Sequence, residues 1–269
     1  MYSAPCTDAE LAYRLAAQAG EALLAVRAEL GFADPGALKL AGDKVSHDLL
    51  RAELGRRRPG DEVLSEEDEG ARLAWTAEVN RATVPRLTAD RVWIIDPLDG
   101  TREFAEQGRD DWAVHVALWA RGSTSPCRLA AGAVAIPARG LVFGAEPPHV
   151  VPAAPSRRLR LAASRSRPPV FLTDLAAEIG AELVPMGSAG VKIAAVVAGE
   201  VDAYLHAGGQ YEWDSAAPVA VAIAAGLHAC RIDGSELVYN AADPRLPDLL
   251  VCRRELRGDL LAAVGRHCG

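Results

Sequence analysis

The 269-residue chain has no excess of basic residues: 29 Lys and Arg stand against 36 Asp and Glu, for a net charge of −7. That excludes a general nucleic-acid binder or a polybasic membrane anchor. It does not exclude an anionic substrate, because a few local cations or bound metals reverse the field inside one cleft. Cysteines are few: Cys6, Cys127, Cys230, Cys252 and Cys268 are scattered, odd in number and form no Cys-x-x-Cys pair. A disulfide framework and a thiolate zinc site are therefore not expected, and the thiols read as reduced. Long apolar runs are missing too. The most apolar stretch, Ala216 to Ala229, is short, alanine-rich and interrupted by Pro218, so it reads as a buried helix and not a membrane span. The opening "MYSAPCTDAE" lacks the basic and apolar regions of a signal peptide, which makes a cytoplasmic location the expectation. There is no internal repeat, and no low-complexity tract beyond alanine bias.

What is present is a chain that is 50% hydrophobic and 24% charged, enough for one large domain or two closely packed halves. Thr7 or Asp8 caps a first helix that runs to about Leu30, with Leu11, Leu15, Leu23, Val26 and Leu30 at helical spacing. "GFADPG" ends it, and a second helix is predicted over Ser46 to Arg58. "EVLSEEDEG" is a short strand running into an acidic loop, followed by a mostly helical connection to Asp90. Residues 92–95, 112–120, 129–138 and 140–146 read as sheet. A polar, proline-rich stretch marks a boundary near residue 155. The predicted halves are thus 1–155 and 156–269, the second a strand–helix alternation that suggests a layered α/β arrangement.

Chemistry concentrates in "VWIIDPLDGTREF", residues 92–104. An apolar strand delivers Asp96 at its carboxyl end, the usual place for functional groups in layered α/β proteins. Pro97 lacks an N–H and is expected to stop the strand from pairing onward. Gly100 permits a conformation closed to other residues, and Thr101 suits a helix N-cap, where N–H groups bind phosphate. One turn then offers two hard anionic ligands, a hydroxyl and an anion cradle, which suits Mg²⁺. Taken alone, Asp-x-x-Asp-Gly is equally an acidic surface turn, "LSEED" an exposed loop, and Asp214 in "EWDSAAP" a helix cap.

In order along the chain, "LSEE", "WIIDPLDGT" and "EWDSAAPVAVAIAAG" resemble the metal-dependent, lithium-sensitive phosphomonoesterases of the inositol monophosphatase superfamily, over essentially the whole length. The resemblance implies an α+β fold: a layered α-β-α-β-α sandwich with metals between its halves. It implies that Glu66, Asp96, Asp99, Asp214 and the Leu98 carbonyl bind two or three Mg²⁺ ions, and that Thr101 helps orient and deprotonate the attacking water. No covalent phosphoenzyme is expected. The family's usual acidic partner for that threonine follows a Val-Thr segment, which is replaced here by "AGDKVSHDLL". Asp48 is the position chosen, with His47 and Asp43 as alternatives, or Glu66 supporting the water alone.

Within the superfamily, "DGTREF" and "LSEED" are closer to 3′(2′),5′-bisphosphate nucleotidases than to the "DGTTNF" of inositol phosphatases. "GRDDWAVH", "DAYLHAGGQYEWDSAAP" and "LPDLLVCR" resemble the actinobacterial branch that serves sulfate assimilation. That branch implies hydrolysis of the 3′-phosphate of 3′-phosphoadenosine 5′-phosphate and extends to phosphoadenylyl sulfate. The alternative is an inositol or fructose-bisphosphate phosphatase of broader specificity, and the rival of a different class is a non-catalytic metal or nucleotide binder. Ser164, Ser188 and Lys192 match the nucleotidase substrate segments, and Arg167 stands where histidine is common. Arg167, Arg102 or Arg109 would meet the second phosphate, unless the last two pair with Glu103, Asp110 and Asp111. Asp99, Gly100, Thr101 and Asp214 complete the expected substrate contacts. Family members are often homodimers, and the expected partner is a small phosphorylated nucleotide.

Overall fold

The computed structural model describes residues 6–68, 84–153, 157–166 and 168–267. Helix α1, Asp8–Leu30, starts on a capping box: Glu10 N–H donates to Thr7 Oγ1 at 3.1 Å, and Thr7 N–H donates to Glu10 Oε2 at 3.0 Å. Helix α2 runs Pro35–Arg57, so it begins eleven residues before the expected Ser46. Asp34 caps it, accepting from Ala37 N–H at 3.0 Å, and Pro35 occupies the first helical position, where its missing N–H costs nothing. After strand β1, Glu62–Ser65, the connection expected to be mostly helical falls largely outside the described residues; its last part is a single turn, α3, Pro85–Thr88.

Strands β2 (Arg91–Asp99), β3 (Ala113–Ala120), β4 (Leu129–Ile136) and β5 (Leu141–Gly144) join β1 in one sheet, ordered β1-β2-β3-β4-β5. Only the β1–β2 pair is parallel. A second sheet follows the order β7-β6-β8-β10-β9. Its strands are β6 (Arg160–Ser164), β7 (Glu182–Met186), β8 (Ala203–Tyr211), β9 (His228–Cys230) and β10 (Arg245–Cys252).

Strand alternation explains the layering. In β2, Trp93 and Ile95 face α1 and α2, packing on Leu15, Leu23 and Leu50, while Val92 and Ile94 face the opposite way. That opposite face meets two helices carried by the second half, Ala189–Val197 and Glu212–Ala224, which also cover Tyr204, Leu249 and Val251 of the second sheet. Leu205, Leu250 and Cys252 point out the far side onto helices Leu172–Glu178 and Arg257–His267. The result is the expected α-β-α-β-α sandwich. Among the described residues no helix is long and apolar enough to cross a membrane.

The central layer is tight. A Cβ added at Gly132 in β4 would lie 2.5 Å from Ala220 Cβ and 3.1 Å from the Ala217 carbonyl. Gly132→Ala should therefore lower stability by about 1–3 kcal/mol through overpacking, measured as a shift in the urea midpoint against the unmodified protein. An unchanged midpoint would contradict this packing.

Candidate active site

Strand β2 does not stop at Pro97, as its missing N–H suggested. Pairing slips between Asp96, opposite His115, and Asp99, opposite Ala113, so β2 carries one extra residue there. The irregularity absorbs the proline and turns both aspartates toward one cavity. Leu98 N–H donates back to Asp96 Oδ1 at 3.1 Å. Gly100 then adopts a left-handed conformation, φ 89° and ψ 40°. It takes the N-cap position that Thr101 was expected to fill. Thr101 instead opens the one-turn helix Thr101–Phe104, and its hydroxyl donates to the Leu98 carbonyl at 3.1 Å.

Asp214 reaches the same place from the first turn of the helix Glu212–Ala224; the helix opens two residues before it, with Tyr211 at the cap position expected for Asp214, and the Asp214 carboxylate accepts from Tyr211 N–H at 2.7 Å. Asp96, Asp99 and Asp214 each offer an oxygen within 4.8 Å of the others. Glu66, just past β1, lines the same cavity. Asp96 and Asp99 are 1% and 7% exposed. Burial, then repulsion from Glu66, Asp99 and Asp214, drives the Asp96 carboxyl well above its usual range. Burial, then Asp99, pushes Asp214 up to about 7. Asp99 goes the other way: burial would raise it, but His115, the Ser188 hydroxyl and Gly190 N–H outweigh that and hold it low. Burying this much like charge is costly unless something cationic shares it. All the donors are hard oxygens, so the residues fit Mg²⁺.

The cavity is about 280 Å³. Of the residues predicted for substrate, Gly100, Thr101, Arg102, Ser164, Ser188 and Lys192 line it. Ser188 is engaged on Asp99, donating to Oδ2 at 2.5 Å. Lys192 is 4% exposed, donates to the Gly187 carbonyl at 2.9 Å and lies 5.3 Å above the Tyr204 ring. Burial lowers its pKa, against the pull of Asp99 and Glu103. A wider space of about 800 Å³ continues past Gly208, Gly209, Tyr211 and Arg245.

Two expectations are not met, and a third falls outside the described residues. Asp48 is 58% exposed, bridges to Lys44 at 2.5 Å and lies off the cavity. Ser46, which is buried against the motif and donates to the Pro97 carbonyl at 2.6 Å, sits two residues earlier, and two residues turn a helix by about 200°. Arg109 is clamped on Asp111 in a two-pronged ion pair and does not line the cavity. Arg167 lies outside the described residues.

The sequence reading missed several cavity or supporting residues. Ser166, Tyr204, His206 and Gln210 form part of the wall. Asp111 accepts from Gly187 N–H at 2.6 Å, and Glu103 takes Arg165 at 2.8 Å, so both tie the first half to the second. His115 is fully buried beside Asp99. Its one available signal was a histidine inside the apolar run "WAVHVALWA".

A family model described as "Inositol monophosphatase family" matches residues 7–267. A Mycobacterium bovis protein named "3'-phosphoadenosine 5'-phosphate phosphatase" is 52% identical over 249 residues, 91% of this chain and 89% of its own. One of the same name from Mycobacterium leprae is 49% identical over 270 residues, covering 98% and 95%. Among solved structures, CysQ from Bacteroides thetaiotaomicron, titled a bacterial member of the inositol monophosphatase family, superposes with TM-score 0.74 at 25% identity, over 93% of this chain and 98% of that one.

Proposed function

The chain belongs to the inositol monophosphatase family, a metal-dependent family, and from that premise we propose that it is a Mg²⁺-dependent 3′(2′),5′-bisphosphate nucleotidase. It removes the 3′-phosphate of 3′-phosphoadenosine 5′-phosphate, giving AMP and phosphate, and phosphoadenylyl sulfate is a second substrate of the same site. The observation that carries this is the convergence of Glu66, Asp96, Asp99 and Asp214 on a cavity that Arg102 and Lys192 also line. The names borne by the mycobacterial relatives support the choice of nucleotide.

In this reading Glu66, Asp96, Asp99, Asp214 and the Leu98 carbonyl hold two or three Mg²⁺ ions, at the junction of the halves 1–155 and 156–269. When bound, Mg²⁺ polarises the phosphoryl group and makes water acidic enough to attack near neutral pH. The chain's own groups do the rest. The Thr101 hydroxyl, fixed as a donor to the Leu98 carbonyl, accepts a hydrogen bond from the attacking water and so aims it. Asp48 faces solvent and neither Asp43 nor His47 lines the cavity, whereas Glu66 does, so of the candidates Glu66 is the one assigned to take that proton. The water oxygen bonds to phosphorus, the ester P–O bond breaks, the sugar 3′-oxygen takes up a proton from solvent water as it leaves, and Glu66 gives its proton back to solvent. The N–H groups around Gly100 and Thr101 steady the phosphate.

Of the two candidate arginines within the described residues, Arg102 is assigned to the second phosphate: it lines the cavity and is exposed, whereas Arg109 is occupied by Asp111. Arg102→Ala should cut kcat/KM for 3′-phosphoadenosine 5′-phosphate about 10- to 100-fold, the worth of one charge-assisted bond. The loss should be under about threefold for adenosine 3′-monophosphate, which lacks the second phosphate. Equal losses on both would place the second phosphate elsewhere. Chromatography of the wild-type products must show 5′-AMP; adenosine 3′-phosphate would refute the regiochemistry.

A further inference from the structure

His115 is the third residue of β3, with no exposed surface. Its two ring nitrogens face two different parts of the site. Nδ1 lies 3.0 Å from the Trp213 carbonyl, and Nε2 lies 3.2 Å from Asp99 Oδ2. A carbonyl and an ionised carboxylate are both acceptors, so the ring presents an N–H to each. The Nε2 contact is off the line of an ideal hydrogen bond, which makes it chiefly electrostatic.

The same Asp99 oxygen accepts from the Ser188 hydroxyl at 2.5 Å and from Gly190 N–H at 2.7 Å. Oδ2 is therefore saturated from the protein side, while Asp99 itself lines the cavity. Position 190 is built around this contact. A Cβ there would fall 2.0 Å from His115 Nε2 and 2.9 Å from Cε1, so only glycine lets the ring and the backbone N–H reach one oxygen together. Through Trp213, the residue next to Asp214, the ring also joins β3 to the start of the helix that carries the fourth acid.

We propose that His115 is a positioning residue for the metal site: it fixes Asp99 and the Trp213–Asp214 turn relative to each other and thereby sets the site's affinity for Mg²⁺. Groups that orient ligands in this way are worth about 10- to 100-fold in metal affinity. The inference rests on the metal-site reading above.

The test is Mg²⁺ titration of the metal-stripped protein by calorimetry, with thermal melting in EDTA measured in parallel. His115→Leu, close in bulk but without a donor, should weaken Mg²⁺ binding at least about tenfold. His115→Gln, which keeps one N–H, should recover part of that loss, and it serves as the readout if the leucine variant does not fold. A merely structural role predicts the opposite pattern, a lower melting temperature in EDTA with the Mg²⁺ affinity of both variants within twofold of wild type; that result would overturn the proposal while leaving the metal site standing. A wild-type protein that binds no Mg²⁺ would overturn the metal-site reading itself.

Discussion

Asp99→Asn is expected to lower phosphate release by about a thousandfold or more, some 4 kcal/mol of barrier, while the protein stays folded. The amide is nearly isosteric, but it cannot satisfy both sides of the position. Oδ2 takes N–H and O–H donors from Gly190 and Ser188, and lies against His115. If the amide oxygen fills that place, its NH₂ is turned into the cavity, where it repels a cation. If it flips, the NH₂ meets the Gly190 donor and the pocket around Oδ2 loses its acceptor. Either way one negative charge is lost from a set of four. Phosphate release by the variant, with circular dichroism as the control for folding, checks this. Retained turnover would remove Asp99 from the metal site.

The second large effect concerns metal removal and pH. EDTA should abolish turnover, and added Mg²⁺ should restore it. The melting temperature carries a sharper sign. Asp96 and Asp214 have folded-state carboxyls raised above the usual 3.8, Asp214 to about 7. Between those values the folded state binds more protons than the unfolded state, so stability in EDTA falls as pH rises from about 4 toward 7 and stays low above it. Asp99, held low, acts only below that window. Mg²⁺ requires the same oxygens deprotonated. At about 100 times its Kd it adds roughly 2.7 kcal/mol, and it should do so at pH 8 and much less at pH 5.5. Scanning calorimetry at both pH values, with EDTA or Mg²⁺, reads this directly. An equal Mg²⁺-induced rise at the two pH values would contradict the carboxylate cluster as the binding site.

The strands were legible because residues 92–95 of β2 are buried on one face or the other, Val92 and Ile94 inward and Trp93 and Ile95 toward α1 and α2, giving a continuous apolar run before a polar motif. The start of α2 was misplaced because Pro35 and Gly36 read as breakers, although Asp34 followed by proline is also a helix-opening signature. The clustered aspartates were legible as candidates because the Asp96–Asp99 motif is local and Asp214 lies in the first turn of a long apolar helix. Asp48 failed because spacing along the chain ignores helix phase, which turns it to solvent beside Lys44. His115 could not be found from spacing at all, since its partners Asp99 and Trp213 are brought to it only by β-pairing and by packing of the second half. The pairing of Arg109 with its neighbour Asp111 was one of two open readings in sequence, and only the folded geometry chooses it.

The central claim is most directly tested by kcat/KM in Mg²⁺ for 3′-phosphoadenosine 5′-phosphate, inositol 1-phosphate and fructose 1,6-bisphosphate, measured side by side by phosphate release. A nucleotidase site predicts that the adenosine bisphosphate leads by at least about a hundredfold, the worth of two or so well-placed polar contacts. Comparable values for all three would contradict it.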